Sequence, residues 1–234
     1  MQEWPFVHVE EGTNVLTITG KQYKGSVISR PNRFLVHVLY NGKTLICHLH
    51  DPGRLRELIF PGNPVLFRKS KGVKTEYSIT AAYLNDRWIL TDTRFHNTIA
   101  SKFIDSVCRG EIKYGKHRLD FRCGNLYVEV KGGTLLEDGY ATFPDAPTLR
   151  GSEHLKILLE LKSTLKNSAL IILFFNSRGT LFRPNRKTDP EFSRLFYRCL
   201  EEGVTIRIFK FDLKSGPNVS NIVYAGEIDI SQPD

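Results

Sequence analysis

Three things are scarce in this sequence of 234 residues. Long apolar runs are the first: none approaches the roughly 18 residues that span a bilayer, which argues against a helical membrane protein. The opening MQEWPFVHVEEG shows none of the basic, apolar and small-residue regions of a secretion signal, so a cytoplasmic protein is expected. Paired cysteines are the second shortage. Cys47, Cys108, Cys123 and Cys199 are widely spaced with no Cys-x-x-Cys, which suggests neither a zinc knuckle nor a disulfide framework. All four are expected to be reduced, mostly buried thiols. Acidic residues are the third shortage, over one stretch only. Between Lys21 and Thr75 eleven Lys or Arg stand against Asp51 and Glu57 alone, in a chain of net charge +8. Such a stretch fits a polyanionic partner.

With 41% hydrophobic and 25% charged residues, the chain can bury one good core or two small ones. No repeat or low-complexity tract interrupts it. Up to about Asp92 it reads as short strands and turns: KQYKGSVI, RFLVHVLY, KTLICHLH, a short helical GRLRELI, then NPVLFRKS, EYSITAAYL and WILTD. Asn41-Gly42 joins the second and third strands, a strong hairpin turn because both residues tolerate positive φ. Short strands, one small helix and a basic surface suit a small closed β-barrel of the oligonucleotide-binding (OB) kind, and an SH3-like barrel fits almost as well.

From about Thr93 the elements lengthen and alternate. NTIASKFIDSVCRG has apolar residues at Ile99, Phe103, Ile104 and Val107, a helical spacing, with Gly110 as a stop. A hairpin, a polar loop, the helix TLRGSEHLKILLELKSTLK, the buried run ALIILFF, a basic loop, the helix PEFSRLFYRCLEEG and the strand VTIRIFKF follow. Helices alternating with apolar strands predict an α/β domain with a mixed sheet. The expected organisation is an OB-like barrel over 1–92 and an α/β domain over 93–234.

The hairpin LDFRCGNLYVEVKGG, residues 119–133, has an unusual arrangement of charge. A two-residue turn at Gly124-Asn125 sets Cys123 opposite Leu126, Phe121 opposite Val128 and Leu119 opposite Val130, an apolar face. The other face then opposes Asp120 to Glu129 and Arg118 to Lys131, with Glu129 and Lys131 adjacent along one strand. Like charges facing each other destabilise a hairpin, so something else must compensate. Two carboxylates together form a hard-oxygen site suited to Mg²⁺ or Mn²⁺.

The spacing Asp120, eight residues, Glu129-Val130-Lys131 resembles the PD-(D/E)XK nuclease motif. That resemblance implies Asp120 and Glu129 as metal ligands, the Val130 carbonyl as a third, and Lys131 as the group that holds the attacking water and steadies charge on phosphate. A longer match, through HDPGRL, GEIKYGKHRLDF, YVEVKGGTL and FPDAPTLRGSEHL, resembles the sugar fermentation stimulation protein A family over nearly the whole chain. It implies an N-terminal OB-like domain joined to a restriction-endonuclease-like PD-(D/E)XK domain, with DNA, single or double stranded, as the ligand.

Other residues join this site as candidates. Glu111 opens the strand before the hairpin and is a further acidic ligand by analogy with related sites, a surface Glu being the alternative. Arg150 and His154 lie four apart on one helix face, where related nucleases place a phosphate-facing polar residue. The loop SRGTLFRPNRK offers Arg183 and Arg186 around Phe182, for phosphate contact and base stacking. Arg33, Arg54 and Arg56 flank the Asn41-Gly42 hairpin and the short helix, and are the barrel's candidate DNA contacts. His48 and His50 share a strand face near Asp51 without enough ligands for a transition metal. The reading is a metal-dependent deoxyribonuclease. The alternative is a DNA-binding regulatory protein that keeps the nuclease fold without cutting, and a homodimer is compatible with either.

Overall fold

The computed structural model describes residues 6–70, 75–105, 108–164 and 166–233. Lys71 and Lys74 of the basic stretch, and Val107 of the expected helix, lie outside them. After a first strand β1 (Asn14–Thr19), five strands close into a barrel: β2 (Tyr23–Asn32), β3 (Leu35–Tyr40), β4 (Lys43–His48), β5 (Pro64–Lys69) and β6 (Tyr77–Leu84). β3 pairs antiparallel with β2 and β4, β5 pairs antiparallel with β2 and β6, and β4 closes onto β6 in parallel. That closed five-stranded connectivity is the OB fold rather than an SH3-like barrel. Asn41 and Gly42 turn β3 into β4 at φ of 49° and 72°.

GRLRELI does not form the expected helix. The amides of Leu58 and Ile59 both bond to the Leu55 carbonyl, at 3.0 and 2.8 Å, and Leu55 itself sits at φ 44°. The Asp145 carboxylate accepts the Leu55 amide at 3.0 Å, so a distant side chain holds a left-handed backbone that a helix cannot contain.

Beyond the barrel come β7 (Arg87–Leu90), α1 (His96–Ala100), β8 (Arg109–Tyr114), β9 (His117–Cys123), β10 (Leu126–Gly133), β11 (Leu135–Glu137) and β12 (Tyr140–Phe143). Then follow α2 (Leu149–Ser163), β13 (Asn167–Phe174), β14 (Leu181–Pro184), α3 (Pro190–Glu201), β15 (Thr205–Ser215), β16 (Val219–Glu227) and β17 (Asp229–Ile230). β15, β13 and β10 run parallel, and β9 and β8 continue the sheet antiparallel, giving the expected mixed sheet. β11, β12, β14 and β17 form a small second sheet. The apolar run in β13 is explained by burial on both faces. Ala169, Ile171 and Leu173 join the core that fills the barrel, while Leu170, Ile172 and Phe174 join a second core under α2 and α3. Thr148 and Asp189 cap those helices by accepting the amides of Gly151 and Phe192 at 3.0 and 2.9 Å.

Three features depart from the sequence reading. β1, which precedes the barrel, pairs with β16, and β7 links β6 to β15. Sheet and core therefore run continuously across residue 92. The helix after Thr93 ends at Ala100, because Phe103 is buried and Ile104 bridges to Phe6. Cys108 and Cys123 are joined by a disulfide, not reduced; only Cys47 and Cys199 are free, buried thiols. The bridge ties the start of β8 to the end of β9, a cross-strand neighbourhood that cysteine spacing does not reveal.

Candidate active site

The β9–β10 hairpin turns at Gly124, φ 60°, and the expected register holds for Cys123 with Leu126 and Phe121 with Val128. There the ladder ends. Instead of lying flat opposite Glu129, Asp120 turns its carboxylate inward and accepts the Val130 amide at 2.8 Å. The strands part at this point, so Arg118 does not face Lys131. Arg118 is at the surface beside Glu111 at 3.4 Å, whereas Lys131 folds back onto Glu129.

Glu129 is 2% exposed and is held from two sides. Its Oε1 takes hydrogen bonds from Lys131 Nζ and from His154 Nδ1 on α2. Arg150 Nε donates to His154 Nε2 at 3.5 Å, and Lys131 Nζ lies 3.2 Å from His154 Nδ1, so lysine, histidine and Glu129 Oε1 meet at one point. Burial alone would push the Glu129 carboxyl up, but the Lys131 charge and the His154 hydrogen bond outweigh it and hold the group below the ordinary range. Asp120 goes the other way. Burial, then the Glu129 charge, raise it despite hydrogen bonds from Asn97 and Val130 and the pull of Lys131.

Asn97 and His96 are site neighbours that the sequence reading missed. Asn97 Nδ2 donates to Asp120 Oδ1 at 2.9 Å. The enabling residue is Gly132, next to Lys131: a Cβ there would lie 2.1 Å from His96 Cε1. Its absence lets α1 settle on β10, with the His96 ring stacked on Phe175. The glycine pair after Glu-x-Lys was the available signal.

The site suits a hard divalent cation. Glu129 Oε2 is buried and has no hydrogen-bond partner, an orphaned carboxylate oxygen beside a second carboxylate that its charge destabilises. No group of three or more His, Cys, Asp or Glu side chains is placed to hold a metal among the described residues. Two carboxylates with a backbone carbonyl are the donor set that Mg²⁺ accepts, because it keeps several waters of its own.

A metal-type carboxylate pair and Glu-x-Lys on a mixed sheet, behind an OB barrel, now stand together. Residues 89–216 match the model for the sugar fermentation stimulation protein RE domain, and residues 28–91 match that for the SfsA N-terminal OB domain. The chain belongs to the sugar fermentation stimulation protein family. A homologue of that name from Saccharolobus solfataricus is 49% identical over 226 residues, covering 97% of this chain and 92% of its own. One from Thermoplasma volcanium is 47% identical over 205 residues, covering 87% and 92%. The fold is similar to the structure of Pyrococcus furiosus SfsA in complex with Ca²⁺, with a TM-score of 0.84 at 24% identity, over 94% of this chain and all of that one.

The remaining candidates of this family member divide clearly. Glu111 is 75% exposed and paired with Arg118, so it is the surface residue and not a ligand beside Asp120. His154 is buried behind Glu129 and supports that carboxylate rather than facing phosphate, while Arg150 is exposed at the helix start. Phe182 is fully buried against Phe196 in the second core. It cannot stack on a base, because β14 turns it inward. Arg183 packs on Tyr140 at 4.1 Å and meets Asp138 at 3.4 Å, and Arg186 is exposed. Both line a cavity of about 760 Å³. Arg33, Arg54 and Arg56 are all exposed. His50 bonds to Ser78 at 3.1 Å, and burial pushes it down to about 4. Among the described residues no helix is long and apolar enough to cross a membrane.

Proposed function

We propose that the protein is a Mg²⁺- or Mn²⁺-dependent deoxyribonuclease that hydrolyses DNA phosphodiester bonds. The observation that carries this reading is the buried, unpartnered Oε2 of Glu129 beside Asp120, with Lys131 at hand. Asp120 and Glu129, with the Val130 carbonyl, are the residues that would hold the cation. When bound, it would lower the pKa of water and offset charge on the phosphoryl oxygens. The residues of the chain do the rest. Asn97 and the Val130 amide fix the Asp120 carboxylate, and His154 fixes Glu129 from behind, so both acids are oriented before substrate arrives. Lys131, paired with Glu129, is also partly open to solvent, and from there it can orient water and face a phosphate. The relative from Pyrococcus furiosus was solved with Ca²⁺, a cation with the same preference for oxygen.

Labelled single-stranded, duplex and branched DNA incubated with Mg²⁺, with Mn²⁺ and with chelator tests the reading. Metal-dependent fragments that disappear with Lys131→Met, at roughly 10²-fold or greater loss and little change in DNA affinity, are expected. DNA bound but intact under every metal condition would instead favour the regulatory, non-cutting alternative.

A further inference from the structure

The cleft between barrel and sheet, about 560 Å³, lies against Gly132, the neighbour of Lys131. Its lips match. On the barrel side Arg33 lines the cleft, and the next residue, Phe34, stands at the rim 43% exposed, with Arg33 5.5 Å over its ring and His48 parallel to it at 6.1 Å. On the other side Arg150 lines it next to Leu149, which is 87% exposed at the first position of α2. Each lip thus pairs an exposed arginine with an exposed apolar side chain. Both lips are held. The Phe34 and Leu35 amides bond to Asn32 Oδ1 at 2.9 and 3.1 Å, and Arg30 donates to the Arg33 carbonyl at 2.9 Å.

The floor has the opposite character, since Asp51 and Asp145 line it. An acidic floor repels phosphate and accepts hydrogen bonds from the amino and imino groups of a base. Cationic lips do the reverse. A nucleotide would therefore enter base first, with its backbone on the lips, and only an unpaired base can do so.

We infer that this cleft takes an unpaired nucleotide of a DNA strand, with Phe34 and Leu149 as its apolar contacts, so that the protein acts where DNA is single-stranded. The inference rests on the reading of the chain as a DNA phosphodiesterase and narrows its substrate. Stacking a base on an aromatic side chain favours binding without regard to sequence, whereas a paired base offers neither its face nor its edge.

Anisotropy of a labelled oligo(dT) strand and of a duplex of equal length, in chelator so that nothing is cut, tests it. The full chain should bind the single strand at least about tenfold more tightly than the duplex. Phe34→Ala and Leu149→Ala should each weaken single-strand binding by about five- to twentyfold and leave duplex binding unchanged, while Phe34→Tyr retains wild-type affinity. Both side chains are exposed, so the fold is kept, as a thermal melt would verify. Equal affinity for the two forms, or equal losses on both, overturns the inference. So does a change in sedimentation with either variant, which would assign the face to contacts between copies. Absence of cleavage with Mn²⁺ despite a single-strand preference would instead count against the nuclease reading alone.

Discussion

Glu129 and Asp51 are both carboxylates in buried surroundings, yet they are driven in opposite directions. Glu129 has Lys131 and His154 on one oxygen and is held low. Asp51 is pushed up to about 6, by burial first and further by Asp145 and Glu57, against the Gly53 amide and Arg30. The difference lies in how the cations are used. Lys131 is spent on its acid. Arg30 faces three acids, Asp51, Asp145 and Glu57, and its guanidinium donates to the carbonyls of Arg33, Gly53 and Arg54. It staples two loops, and the carboxylates around it are compensated only in part. A charged cluster that fastens backbone tolerates acids ready to take a proton. A cluster built to keep a carboxylate ionised surrounds it with donors and leaves one oxygen open.

This contrast fixes the sign of two substitutions. Glu129→Gln removes the partner of a largely buried lysine, so the metal-free protein should lose about 3 kcal/mol of stability, measured by urea unfolding in chelator. Repulsion between Asp120 and Glu129, taken alone, suggests the reverse; the lysine and histidine seen on Glu129 outweigh it. Unchanged stability would mean that Lys131 does not depend on Glu129. Asp51→Asn should do the opposite and stabilise, by about 1–2 kcal/mol at pH 7 after allowing for partial exposure. An acid whose pKa is raised by folding contributes stability below its unfolded value and loses it as pH rises through the folded one. The advantage of the variant should therefore fade as pH falls from about 6 toward the ordinary carboxylate pKa of 3.8. Denaturant midpoints across that range read it, and a gain that does not vary with pH would place the Asp51 effect elsewhere.

A smaller effect sharpens the cleft's outer side. Neutralising Arg33, Arg54 and Arg56 together should flatten the dependence of log K on log salt by up to about three contacts, each about 0.7–0.9. An unchanged slope would move the DNA-holding surface to the cavity lined by Arg183 and Arg186.

Much of this arrangement was legible in the chain where the signal is local. Asn41-Gly42 set a hairpin, alternation in β3 and β4 set the barrel wall, and the carboxylates Asp120 and Glu129 marked the candidate site, although the like-charged pairs do not face each other as expected. What failed was long-range. β1 joins β16 from the far end of the chain, and the amide of Leu55 depends on Asp145, 90 residues away. Phe182 read as a loop aromatic because the small sheet that buries it is assembled from a hairpin, β11–β12, and two distant strands, β14 and β17. His154 was found by its helix face but assigned outward, since nothing in the spacing says that α2 turns that face toward Glu129.

Asp120 and the unpartnered oxygen of Glu129 are proposed to hold a divalent cation. Calorimetric titration of Mn²⁺ into the wild-type chain and into Asp120→Asn, without DNA, tests it most directly. One binding site is expected in the wild type and loss of that binding in the variant, with both proteins folded. Equal Mn²⁺ binding by the two would contradict it.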